Sequence, residues 1–115
     1  MFIDTDAIEY MYMNSHTRKL TGFADVTNKG AYVATFGIGY YYNDQFFAFD
    51  SPNLLYNQSF RIAIPADATN IIFLARLYLT PKETRVICRK EYEKSFRKYF
   101  ELHGTIFNPG CSEVG

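Results

Sequence analysis

The chain has 115 residues, 48% of them hydrophobic, and its 12 Lys and Arg balance 12 Asp and Glu to a formal net charge of zero. A chain of this length makes one domain that buries roughly two thirds of its unfolded surface, enough for a core without metal or disulfide support. A nucleic-acid surface calls for a strong basic excess, so no nucleic-acid partner is expected.

The start, Met1-Phe2-Ile3-Asp4-Thr5-Asp6, is acidic where a signal peptide is basic, and no apolar stretch follows. The longest apolar run, from Ile71 to Ala75, is far too short to cross a bilayer as a helix. The expectation is a soluble chain, secreted or released without a recognisable signal peptide and peripheral on any membrane it meets. Residues 1–20 are expected to form an N-terminal arm or extra strand, and residues 21–115 a single sandwich domain.

Strand periodicity begins at Tyr32. The even positions Tyr32, Ala34, Phe36, Ile38, Tyr40 and Tyr42 are mostly bulky, and the odd ones include Gly37 and Gly39. Such alternation marks a strand with one face on a core. Neighbouring tyrosines point to opposite faces, so Tyr41 leaves the core side. Tyr41 and Tyr42, beside Asn43, Asp44 and Gln45, form either an ordinary aromatic hairpin flank or a surface that stacks on sugars. Asn57-Gln58-Ser59 fits a glycosylation sequon that reads as incidental.

A second strand follows from Phe60, Ile62 and Ile64 alternating with Arg61 and Ala63, and 71–79 reads as a central strand. Breakers at Asn43-Asp44, Ser51-Pro52-Asn53, Pro65-Ala66-Asp67 and Thr80-Pro81 separate these runs. Residues 87–102 fit either a short charged helix or strands. The alternation of Phe96, Lys98, Phe100 and Leu102 favours a final strand over 96–103. Short strands with turns every 8–12 residues predict an all-β, antiparallel β-sandwich. Cys88 and Cys111 allow one disulfide or two free thiols, because sequence cannot place their Cα atoms.

Catalytic constellations are missing. His16 and His103 have no second ligand or nucleophile at a recognisable spacing, and there is no Gly-rich phosphate loop. The reading is therefore non-enzymatic, with no cofactor and no metal. Ten Tyr and eleven Phe without Trp suit strands and surfaces that meet glycans, proteins or the polar edge of a membrane.

Three segments carry a pattern in order: Gly30-Ala31-Tyr32-Val33-Ala34-Thr35-Phe36, then Ile64-Pro65-Ala66-Asp67-Ala68-Thr69-Asn70-Ile71-Ile72, then Leu102-His103-Gly104-Thr105-Ile106-Phe107-Asn108-Pro109-Gly110. Together they resemble the C-terminal membrane-recognition domain of the cholesterol-dependent (thiol-activated) cytolysins, where the strings run GAYVAxF, IPLxxxAxNIxIxAR and WGTTLYPG. The resemblance covers about residues 21–110. It implies a β-sandwich whose loop tips at one end meet a membrane. The family's Trp-rich loop, ECTGLAWEWWR, falls on Leu77 to Ile87, where its tryptophans become Glu83, Arg85 and Val86. Lys82, Glu83 and Arg85 would each cost ~2.5–3.5 kcal/mol at mid-bilayer, so this loop suits a polar partner better than acyl chains. The family's sterol-reading Thr-Leu pair becomes Ile106-Phe107 after Thr105. Phe107 is then either a shallow anchor or a cap folded back on the core.

The resulting expectation is a cell-surface binding module, a toxin component or targeting subunit. It would dock on membrane lipid or sterol through Thr105, Ile106, Phe107, Lys82, Glu83 and Arg85, with Tyr41 and Tyr42 as further contacts. Burying two such apolar side chains yields roughly 3–6 kcal/mol, so one copy binds weakly and several must act together, as a homo-oligomer or with a partner toxin chain. No pore of its own is expected. The alternatives are a cell-surface glycan or protein ligand, or a structural self-assembly role.

Overall fold

The computed structural model describes residues 21–115, and the arm expected over 1–20 lies outside the described residues. Eight strands run through the described part: β1 (Gly22–Asn28), β2 (Ala34–Tyr42), β3 (Gln45–Asp50), β4 (Ser59–Ile64), β5 (Thr69–Thr80), β6 (Glu83–Lys94), β7 (Arg97–Thr105) and β8 (Asn108–Val114). They form two four-stranded sheets, ordered β4-β1-β7-β8 and β3-β2-β5-β6, which is the expected β-sandwich. The pairings are antiparallel except in the middle of the first sheet, where β1 and β7 run parallel.

The core lies between the sheets and follows the period of two. On β2 the even positions Ala34, Phe36, Ile38 and Tyr40 are buried, as the alternation predicts. On β5 the odd positions Ile71, Phe73, Ala75 and Leu77 are buried while Arg76 between them is exposed. The first sheet answers with Ala24, Val26, Ile62, Ile64, Phe100 and Leu102. Phe73 and Phe100 stack across the gap, with ring centroids 4.4 Å apart and planes 12° from parallel. This pair joins β5 of one sheet to β7 of the other.

Two readings of the sequence are settled differently from one another. The short helix weighed over 87–102 is absent. Residues 83–94 instead return along β5, from Thr80 opposite Glu83 to Thr69 opposite Lys94. Backbone pairing in this long hairpin overrides the helix-like spacing of its charges, which sit on an edge strand half turned to solvent. The two cysteines form a disulfide, Cys88 of β6 to Cys111 of β8, with Cα atoms 6.4 Å apart. It joins the edge strands of the two sheets and closes one flank of the sandwich.

Among the described residues, no strand closes the opposite flank, between β3 and β4. A cleft of about 630 Å³ lies there, walled by Tyr40, Tyr42, Phe49 and Phe60, with Asp50 and Arg61 on its margin. Two turns set the strand ends. Asn43 and Asp44 both have positive φ, 52° and 63°, the geometry of a two-residue hairpin turn whose twist matches its strands. Gly104 has φ +88°, and a Cβ there would sit 2.2 Å from the Asn108 carbonyl oxygen. Only glycine fits where β7 bends into its hairpin.

Candidate functional site

One end of the sandwich gathers four connecting segments: residues 29–33, 53–58, the 81–82 turn and the 106–107 turn. Strand directions put them together. β1 and the parallel β7 both run toward this end, as does β5, whereas β2 starts from it. Backbone bonds then fix the segments to one another: Lys29 N to Leu102 O at 2.7 Å, Ala31 N to Gly104 O at 2.9 Å and Tyr78 N to Val33 O at 2.9 Å.

Asn28 organises the interior of this end. Its side chain is fully buried and makes three bonds. The amide nitrogen donates to the carbonyl oxygens of Tyr32 at 2.7 Å and Leu54 at 2.9 Å, and the Oδ1 accepts from Gly30 N at 2.8 Å. A buried amide satisfied in this way holds the 29–33 and 53–58 segments in one arrangement. The Tyr32 hydroxyl donates to the His103 carbonyl at 2.7 Å, and partial burial pushes that phenol's pKa up.

The two long hairpins, β5–β6 and β7–β8, are tied twice. Partway along them stands the Cys88–Cys111 disulfide, with Cys88 opposite Ala75 and Cys111 opposite Leu102. Nearer the apex, Arg85 Nη1 donates to the Ile106 carbonyl at 2.9 Å. The Thr105 hydroxyl accepts from Phe107 N at 3.2 Å and tightens the apical turn. The segment is therefore stiff where it presents its side chains.

Phe107 is 85% exposed, which removes the reading of it as a core cap. Ile106 beside it is half-buried. Leu79, Leu55 and Tyr56 are also exposed on this end, Tyr56 at 66%. Lys82 occupies the β5–β6 turn, Glu83 opens β6, and Arg85 lies opposite Leu77. Thr105, Ile106, Phe107, Lys82, Glu83 and Arg85 thus belong to one end.

Tyr41 and Tyr42 do not. Tyr41 pairs with Thr69 at the start of β5, while Ala34 pairs with Leu77 near its finish. Seven residues of strand separate these levels, about 23 Å. Tyr41 sits on the outer face with its ring 5.2 Å from Phe46, and Tyr42 lines the open cleft. The expectation that Tyr41 and Tyr42 join the other tips is corrected by this register: β2 leaves the tip end and its hairpin turns back at the far one.

Leu55, Tyr56 and Leu79 escaped the sequence reading. The signal for Leu55 and Tyr56 was an apolar Leu54-Leu55-Tyr56 run between Pro52-Asn53 and Asn57-Gln58, too hydrophobic for an ordinary surface turn. Leu54 alone of the three goes inside, at 2% exposure. Among the described residues no group of three or more His, Cys, Asp or Glu is placed to hold a metal ion, and no helix is long and apolar enough to cross a membrane.

Solved structures share this architecture. Listeriolysin O matches with a TM-score of 0.61 at 19% identity, over 83% of this chain and 22% of that one. Suilysin from Streptococcus suis matches with a TM-score of 0.61 at 18% identity, over 84% of this chain and 23% of its own. The membrane-binding domain of pneumolysin matches with a TM-score of 0.61 at 16% identity, over 83% of this chain and 96% of that domain. The fold is that of a cytolysin membrane-binding domain. The chain spans less than a quarter of the full-length listeriolysin O and suilysin and nearly the whole of the isolated pneumolysin domain. No protein-family model matches the sequence, and no curated protein does.

Proposed function

We propose that this cytolysin-like domain is a membrane-docking module that binds through the end carrying residues 106–107. The observation that carries the reading is the position of Phe107, 85% exposed at the apex of a hairpin that is tied down by a disulfide and by Arg85. An exposed aromatic on a stiff support loses little conformational freedom on insertion. Leu79, Leu55 and Tyr56 on the same end widen the apolar contact.

Burial of Phe107 with one neighbour contributes roughly 3–6 kcal/mol, a millimolar to tens-of-micromolar affinity for one copy. Firm attachment then comes from several copies on one surface, whether a homo-oligomer or an assembly with a partner toxin chain. Sterol recognition by Ile106-Phe107 in place of a Thr-Leu pair is part of the same proposal, as is a role without enzymatic activity or pore formation of its own.

The test is co-sedimentation with liposomes, with and without cholesterol. The chain is expected to pellet with lipid, and Ile106→Asp with Phe107→Asp to abolish pelleting while the circular dichroism spectrum is retained. Undiminished pelleting of the double variant would place the contact elsewhere.

A second reading has its own observation, the open cleft walled by Tyr40, Tyr42, Phe49 and Phe60 with Asp50 and Arg61 at its margin. Aromatic walls with a few polar groups suit a glycan or a protein side chain. Saturable glycan binding lost in Tyr42→Ala and kept in Phe107→Asp would favour it.

A further inference from the structure

Charge is distributed unevenly between the ends of a chain whose net charge is zero. Among the described residues, the turn segments of the tip end and the start of β6 carry Lys29, Lys82 and Arg85 against the carboxylate of Glu83. At the opposite end, among the described residues, Asp44 and Asp67 in the turns and Glu93 on β6 stand against Lys94 and Arg97. On the strands Arg61 holds Asp25 at 3.0 Å, Lys98 holds Glu113 at 3.0 Å and Arg89 holds Glu91. Lys29, Lys82 and Arg85 form no ion pair among the described residues; Lys29 Nζ donates to Asn57 Oδ1, and Arg85 donates to a neutral carbonyl. Their charge is left for whatever meets this end.

We propose that the tip selects anionic phospholipid headgroups, with Lys29, Lys82 and Arg85 forming a cationic collar around the Phe107 apex. The inference rests on the docking reading above and names the lipid class it acts on. Residues costly in hydrocarbon are well placed one layer higher, among headgroups. Phe107 at the apex reaches the acyl boundary while Arg85, holding the Ile106 carbonyl, stays beside the hairpin and level with the phosphates. Each Lys or Arg near an anionic leaflet multiplies binding about fivefold. Three cations less one carboxylate thus give roughly a thirtyfold preference over a neutral surface, screened away within a Debye length of ~10 Å at 0.1 M salt.

The experiment compares the full chain on phosphatidylcholine–cholesterol vesicles with and without about one third phosphatidylserine, at ~0.1 M and ~0.5 M salt. Binding is expected to be roughly thirtyfold tighter on the anionic vesicles at low salt and nearly equal on both at high salt. Lys29→Gln and Lys82→Gln should each cost about fivefold on anionic vesicles only, and Glu83→Gln should gain about fivefold there. The Glu83 variant guards against loss through misfolding, because it predicts a gain. Equal affinity for the two vesicle types, or a preference indifferent to salt and to these three variants, would overturn the headgroup inference and leave docking intact. Failure to bind either vesicle at any salt would instead remove the docking reading beneath it.

Discussion

The two ends of this sandwich are built on opposite plans. At the tip end, chain crossings meet around Asn28, and two long hairpins are joined by the Cys88–Cys111 bridge and by Arg85. At the far end, β2 and β3 turn through the self-contained Asn43-Asp44 pair, and Tyr41 contacts a neighbour on its own hairpin, Phe46. One end is held by long-range contacts and presents Phe107 outward. The other is held locally and keeps its aromatics side by side. A surface that must insert without reorganising needs the first plan, because any ordering left until binding subtracts from a weak interaction.

Removing the long-range ties is the most forceful way to break this contrast. Replacing both cysteines by serine is expected to cost about 3 kcal/mol in urea unfolding, since the bridge spans 23 positions of sequence. The loss should be felt unevenly. Amide exchange in β8 and the 106–107 turn should accelerate more than exchange around Asn43 and Asp44. Uniform acceleration would mean that the bridge supports the whole sandwich and not the tip in particular.

Asn28→Ala is the next step down, expected to cost about 2 kcal/mol. It leaves the carbonyls of Tyr32 and Leu54 and the amide of Gly30 without their buried partner. The Gly30 amide should lose protection while the β2–β3 turn keeps its own. A loss below about 0.5 kcal/mol would show that water replaces the side chain at no cost and that Asn28 does not organise the tip.

How much of this could be read in the sequence differs by element for physical reasons. β2, β4 and β7 alternate bulky core residues with small or polar ones, β5 is a nearly continuous apolar run, and the chain signals all four directly. β1 hides because its inward residues are Ala24, Val26 and Asn28, small or polar, although all three are fully buried. β6 and β8 are edge strands rich in charge and glycine or proline, and their pairing partners define them better than their composition does. At the candidate site, Ile106-Phe107 and the turn at 81–82 were legible as loop tips through their Gly and Pro residues, whereas 83–85, read as loop, pair into β6. Their common end, the exclusion of Tyr41 and Tyr42 from it, and the role of Asn28 depend on strand direction. No local pattern encodes that.

The smallest effect on stability makes the sharpest comparison. Phe107→Ser should change unfolding free energy by no more than about 0.5 kcal/mol, because its ring already faces solvent. Tyr41→Ser should cost about 0.5–1.5 kcal/mol through the lost ring contact with Phe46. Lipid binding should rank the two in reverse. The Phe107 variant forfeits ~1.5–3 kcal/mol of burial, a loss of about tenfold or more, and the Tyr41 variant binds as the parent does. Measured together by urea titration and liposome co-sedimentation, the pair separates a residue kept for contact from one kept for the hairpin. If both variants lost binding equally, the far end would have to meet the membrane too, and a molecule 49 Å long would lie along the surface and not stand on its tip.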